Sequence, residues 1–243
     1  MYSSFNENNI EITRDDINKI INFNPINVYN YQQAFIHKSV LRFLDKKEKV
    51  NNSFERYEFL GDAVLNLIVA NYLFKNFKDK EEGFLTKIRT RLVNGKTLSF
   101  LANKLELNKF LIISQNVEFI NGRKNDRILE DVLESLMCSI YLDLGFKYAE
   151  TFYVKLIEKY INFKDLEEDN NYKDILLRYC QSTTQTTPSY KLIKTDGKTQ
   201  NRIFTSAVII KDIEYESGIG KTKKISEQEA SKNTLIKLGV KFT

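Results

Sequence analysis

"ERYEFLGDAVL", residues 55–65, places Glu55, Glu58 and Asp62 in a run that is otherwise apolar. At about 100° per residue, Glu58 and Asp62 fall within about 60° of Glu55 on one side of a helix. Phe59, Leu60, Ala63, Val64, Leu67 and Ile68 take the other directions. That pattern predicts a helix apolar nearly all round and largely buried. Asn51, Asn52 and Ser53 offer N-cap side chains before it, and Glu55 suits the first turn. Glu58 and Asp62 are a like-charged i,i+4 pair, unfavourable in water and more so when desolvated, so buried acids at this spacing call for a cation. Gly61 between them costs helix propensity, which makes sense where something approaches closely.

A second acidic helix follows in "NDRILEDVLESLMCSIYLDLG", residues 125–145. Ile128, Leu129, Val132, Leu133, Leu136, Met137 and Ile140 form one wide apolar face, with Asp131 and Glu134 opposite. Taken alone, this pair has the pattern of a solvated acidic face. If it meets the first stripe, Glu58, Asp62, Asp131 and Glu134 pool into an oxygen-only site suited to a hard cation such as Mg²⁺.

Around these helices, apolar periodicity of the helical kind recurs over 14–22, 29–44, 54–77, 84–105 and 126–160. The polar, acidic stretch 162–171, "NFKDLEEDNN", reads as a linker. Beyond it the pattern changes. A short amphipathic helix, three runs rich in β-branched and aromatic residues ("SYKLIKT", "NRIFTSAVII", "IEYESGIG") and a closing helix give α-β-β-β-α. The expected architecture is an all-α domain over 1–161, a linker over 162–171 and a small α+β module over 172–243.

Composition agrees with a globular protein: 243 residues, 42% hydrophobic and 28% charged. The net charge of +5 is unevenly spread. Residues 1–171 hold 24 Lys+Arg against 25 Asp+Glu, while 172–243 hold 13 against 7. The tail is either a polyanion-binding appendage or a lysine-rich surface. The first residues lack the basic and apolar regions of a signal peptide, and no run is long enough to span a bilayer as a helix, so a soluble cytoplasmic protein without membrane contact is expected. Cys138 and Cys180 share no metal-type spacing and read as small buried hydrophobes. A single histidine, His37, excludes catalysis by a histidine pair working as acid and base.

Four segments carry a family resemblance. "ERYEFLGDAVL" resembles the signature of ribonuclease III. "QAFIHKS" (33–39), "EEGFLTKIRTRLVN" (81–94) and "ILEDVLESL" (128–136) are similar to its flanking motifs, in order and spacing. Residues 172–243, with "GIGKTKKISEQEASK" near the end, look like a double-stranded-RNA-binding domain. The resemblance implies an all-α endonuclease domain and a homodimeric, Mg²⁺-dependent enzyme, with Mn²⁺ as substitute and no organic cofactor. It would cut double-stranded RNA to 5′-phosphate and 3′-hydroxyl ends with short 3′ overhangs. It puts Glu58, Asp62, Asp131 and Glu134 at the catalytic metal site, and Glu55 and Glu82 at auxiliary acidic positions that handle RNA. Phe59 falls on an aromatic that plugs into the partner subunit, with simple core packing as the other reading. Gln200, Thr222, Lys223 and Lys224 fall on RNA-binding positions. Three positions depart from the family pattern: Gln200 stands where a histidine is common, Arg178 where a glutamate is usual, and Ser226 where an alanine is expected. The competing reading is a non-cleaving protein that sequesters or protects duplex RNA, which has no need of all four carboxylates.

Overall fold

The computed structural model describes residues 8–41, 53–163, 166, 171–197 and 202–240. Its chain divides into two compact units between Asn162 and Phe163.

In the first unit, α1 (Arg14–Ile21) starts with a capping box in which Thr13 and Asp16 satisfy each other's backbone N–H groups. The expected continuous helix over 29–44 is broken. Helix α2 (Val28–Gln33) stops, and only a 3₁₀ turn, Lys38–Leu41, follows among the described residues. Next come α3 (Glu55–Asn76), α4 (Glu82–Leu92), α5 (Gly95–Lys104) and a short α6 (Gln115–Phe119). The long α7 (Asp126–Leu144) and α8 (Phe146–Tyr160) close the unit. The periodicity over 84–105 thus covers two helices. Asn94 sits in extended backbone and accepts from Thr97 N at 2.9 Å, which starts α5 afresh. The run over 126–160 is likewise two helices, because Gly145 turns the chain at φ 89°, a conformation glycine adopts without strain.

Helices α3 and α7 are the central packed pair. Leu65, Ile68, Val69 and Leu73 of α3 are buried, as are Leu129, Val132, Leu133, Leu136, Met137 and Ile140 of α7. Each such side chain contributes about 1.5–3 kcal/mol by leaving water. The pair lies so close that a Cβ on Gly61 would fall 1.8 Å from the carbonyl oxygen of Glu134. Ser135 and Ser139 of α7 donate to the carbonyls of Phe54 (3.2 Å) and Asn30 (2.9 Å), tying earlier segments onto it. The start of α3 differs from expectation. Its N-cap is Phe54, whose side chain has no polar atom to cap with, and Ser53 before it is buried; Asn51 and Asn52 lie outside the described residues.

The second unit follows the expected order: α9 (Tyr172–Thr184), β1 (Ser189–Asp196), β2 (Ile203–Ile210), β3 (Ile213–Gly220) and α10 (Lys223–Lys237). The antiparallel sheet runs β1-β2-β3, with Ser189 opposite Ile209 and Ala207 opposite Ser217. Lys211 and Asp212, both at positive φ, make the tight β2–β3 turn. Leu176 and Cys180 of α9, Val208 and Ile210 of β2, and Ala230 and Leu235 of α10 form the core. A Cβ on Gly218 would lie 2.1 Å from the Ala230 nitrogen, so the missing side chain lets α10 rest directly on β3.

Candidate active site

The close contact at Gly61 turns the two acidic stripes toward each other. One carboxylate oxygen each from Glu58, Asp131 and Glu134 lies within 4.8 Å of the others. The solvated-face pattern of Asp131 and Glu134 is therefore not what the fold makes of them: Asp131 is half-buried and Glu134 only 7% exposed. Burial is the main cause of their raised pKa values. Asp131 is pushed up to about 7, with Glu58 and Glu130 adding repulsion, and Glu134 up to about 8, with Asp62, Glu130, Glu58 and Asp131 adding theirs. Burial followed by Glu55 also lifts Glu58. Lys38 and Arg127 oppose these effects at Glu58 and Asp131 but do not cancel them.

Such a donor set fits a hard divalent cation: all oxygen, anionic, converging, and electrostatically unsatisfied without positive charge. Asp62 is outside the trio. Its Oδ1 accepts from Asn66 Nδ2 at 2.8 Å, though its charge still bears on Glu134.

Glu55 stands at the edge, its Oε1 accepting from Lys38 Nζ at 2.7 Å. Glu82 opens α4 away from the trio and accepts from Thr86 Oγ1 at 2.7 Å. With Arg89, it lines a cavity of about 450 Å³ beside Leu67, Ala70 and Phe74. His37 Nδ1 accepts from Ser39 N at 3.1 Å and its ring meets Phe54 edge-on, a packing role outside the carboxylate group. Phe59 is 81% exposed, which overturns simple core packing. Leu67 and Phe74, on the same face of α3, are also exposed, so this helix is not buried all round as its composition suggests. Sequence reasoning passed over Glu130, one turn before Glu134, because only the fold places it beside Asp62 and Gly95.

In the second unit, Thr222 caps α10 by accepting from Ile225 N at 3.2 Å, and Lys223 and Lys224 follow, both exposed. That leaves ammonium groups beside a helix N-terminus, a combination that suits phosphate. Arg178 pairs with Asp174 at 3.1 Å. Ser226 is buried, and its hydroxyl is 2.7 Å from that of Ser206 on β2, so its departure from alanine is matched by a serine on the facing strand. Gln200 lies outside the described residues.

A helical unit with facing carboxylates, joined to a basic α-β-β-β-α module, is the layout of a nuclease with a nucleic-acid-binding appendage. Residues 30–161 match the family model described as Ribonuclease-III-like, and 172–238 match that of the Double-stranded RNA binding motif. The chain is 36% identical to protein A464R of Paramecium bursaria Chlorella virus 1 over 95% of its own length and 81% of that protein. It is 38% identical to Ribonuclease 3 of Campylobacter fetus over 84% of this chain and 91% of the relative. Among solved structures, the nuclease domain of ribonuclease III from Campylobacter jejuni, described for flexibility in a region involved in dimer formation, superposes with a TM-score of 0.55. That match has 36% identity and covers 61% of this chain and 99% of that one. The chain belongs to the ribonuclease III family.

No helix among the described residues is long and apolar enough to cross a membrane.

Proposed function

We propose that this chain is an endoribonuclease that hydrolyses double-stranded RNA with a divalent cation, Mg²⁺ or Mn²⁺, held by Glu58, Asp131 and Glu134. The convergence of these three carboxylates, two of them with strongly raised pKa values, carries the reading. When bound, the cation supplies Lewis-acid polarisation of the scissile phosphate, a lowered pKa for water and stabilisation of the departing 3′-oxygen. Glu58, Asp131 and the buried Glu134 would hold it. Asp62 adds its charge at Glu134, and Glu55 and Glu82 handle RNA at the periphery. Thr222, Lys223, Lys224 and Gln200 grip the duplex by its phosphates and 2′-hydroxyls, which are the features A-form RNA presents. The products carry 5′-phosphates and 3′-hydroxyls with short 3′ overhangs. The functional unit is a homodimer formed through the exposed face of α3.

A defined RNA duplex incubated with the protein and Mg²⁺, followed by sequencing of the ends, tests this. Full-length duplex after excess enzyme would overturn it.

A further inference from the structure

The trio leaves one carboxylate unexplained. Glu130 is half-buried on α7, one turn before Glu134, and in the i,i+4 relation that puts two side chains on one face. Its seat is made by a missing side chain: a Cβ on Gly95, the first residue of α5, would fall 2.2 Å from Glu130 Oε2 and 2.8 Å from Oε1. The carboxylate therefore rests against the start of α5, where the helix dipole favours negative charge.

Two charged neighbours act on it: Arg127, which opposes the rise in pKa that burial causes, and Asp62, which adds to that rise. The charges of Asp62 and Glu130 act on the Glu134 carboxyl together with those of Glu58 and Asp131, the other two members of the trio. Glu134 itself is 7% exposed, and no donor among the described residues hydrogen-bonds its carboxylate. A buried, unpaired carboxylate flanked by two more is costly unless positive charge is drawn in front of it.

We infer that Glu130 is a positioning residue of the cation site: seated over Gly95, it adds with Asp62 a second acidic group beside Glu134 that tightens cation binding without joining the trio. The inference rests on the cation reading of Glu58, Asp131 and Glu134. Glu130 hydrogen-bonds none of the trio and acts by charge, so its effect falls at the low end of the about 10–100-fold that outer groups of a metal site have on affinity.

Binding of Mn²⁺ to the whole protein, followed by electron paramagnetic resonance without RNA, separates the two claims. Glu130→Gln keeps the shape of the side chain and removes its charge; it should weaken Mn²⁺ binding about tenfold, with circular dichroism and duplex-RNA gel shifts unchanged. Glu130→Asp should recover part of the loss. Gly95→Ala keeps the charge but pushes the carboxylate off its seat, and should also weaken binding. Because the displaced atoms are the free end of a flexible side chain, the fold is kept. Glu134→Gln should abolish binding. Wild-type binding with Glu130→Gln unchanged overturns the inference and leaves the cation site standing. Normal binding in Gly95→Ala overturns the seating. Absence of Mn²⁺ binding in the wild-type protein brings down the cation site, and this inference with it.

Discussion

At the residue scale, the proposed cation site turns on Glu134. It is the most buried member of the trio, so replacing it by glutamine removes a ligand charge and leaves the packing in place. Cation stabilisation of transition-state charge is worth several kcal/mol, so Glu134→Gln should slow cleavage by at least about 10²-fold. Gel-shift affinity for duplex RNA should stay the same, since the α10 lysines are untouched. A variant that cuts normally would remove Glu134 from the site. The same carboxyl makes stability depend on pH. In the unfolded chain, Asp131 and Glu134 ionise near pH 4; folded, they hold their protons to about 7 and about 8. Between these limits the folded state binds more protons, so stability falls as pH rises. His37, whose pKa is lowered by burial, works in the opposite sense below about 6.5. The clear window is therefore pH 6.5 to 8, as set by the two raised values and His37. With chelator present, the melting temperature should drop across it, and excess Mg²⁺ should restore the most at the alkaline end. A flat chelated profile would show that the carboxylates are not frustrated.

At the scale of elements, the α3–α7 contact depends on Gly61. Gly61→Ala gains about 1 kcal/mol of helix propensity but drives a methyl into the Glu134 carbonyl, and overpacking costs about 1–3 kcal/mol or more. Because the obstacle is backbone, the net result should be destabilisation and a widened carboxylate trio. Gly83→Ala is the control: it lies in α4 with nothing within 4 Å of the added methyl, and should stabilise slightly in urea unfolding. The Ser206–Ser226 pair between β2 and α10 gives a second test. Ser226→Ala leaves a buried hydroxyl on Ser206 without its partner, at a cost of about 1–3 kcal/mol, while Ser206→Ala/Ser226→Ala should recover most of that loss. Additive losses would deny the coupling. What the sequence shows at this scale is what period and spacing encode. The acidic stripes, the need for Gly61 and the whole α-β-β-β-α order are legible because each is local in origin. The breaks at Asn94 and Gly145 are hidden, since apolar periodicity continues across both helices. Glu130 is hidden because its meaning comes from Gly95, 35 positions away in the chain.

At the scale of the whole molecule, the exposed face of α3 carries the proposed dimer. Phe59, Ala63, Leu67, Ala70 and Phe74 recur at spacings that share one side of the helix, and Phe59 and Phe74 are 81% and 75% exposed. A stripe of large apolar side chains of this kind on a folded protein marks an interaction surface. Its composition also explains why the sequence suggests a helix buried all round: an apolar residue on the surface looks the same in sequence as one that meets its own core. A two-fold dimer uses the same patch twice, so any change on it is felt in both protomers. Removing one buried phenylalanine costs about 1.5–3 kcal/mol per copy, and thus about 3–6 kcal/mol per dimer. That corresponds to about 10²–10⁴-fold in the dissociation constant. Sedimentation should accordingly show wild-type dimers at micromolar concentration and largely monomers for Phe59→Ala or Phe74→Ala. The carboxylate trio is built within one chain, so these monomers should still bind Mn²⁺. Each protomer carries one trio, so coordinated cutting of both strands needs two. The monomeric variants should therefore nick one strand of a duplex before the other, visible as full-length opposite strands on denaturing gels. Wild-type protein that sediments only as a monomer would count against the dimer, as would Phe59→Ala and Phe74→Ala variants that still cut both strands together.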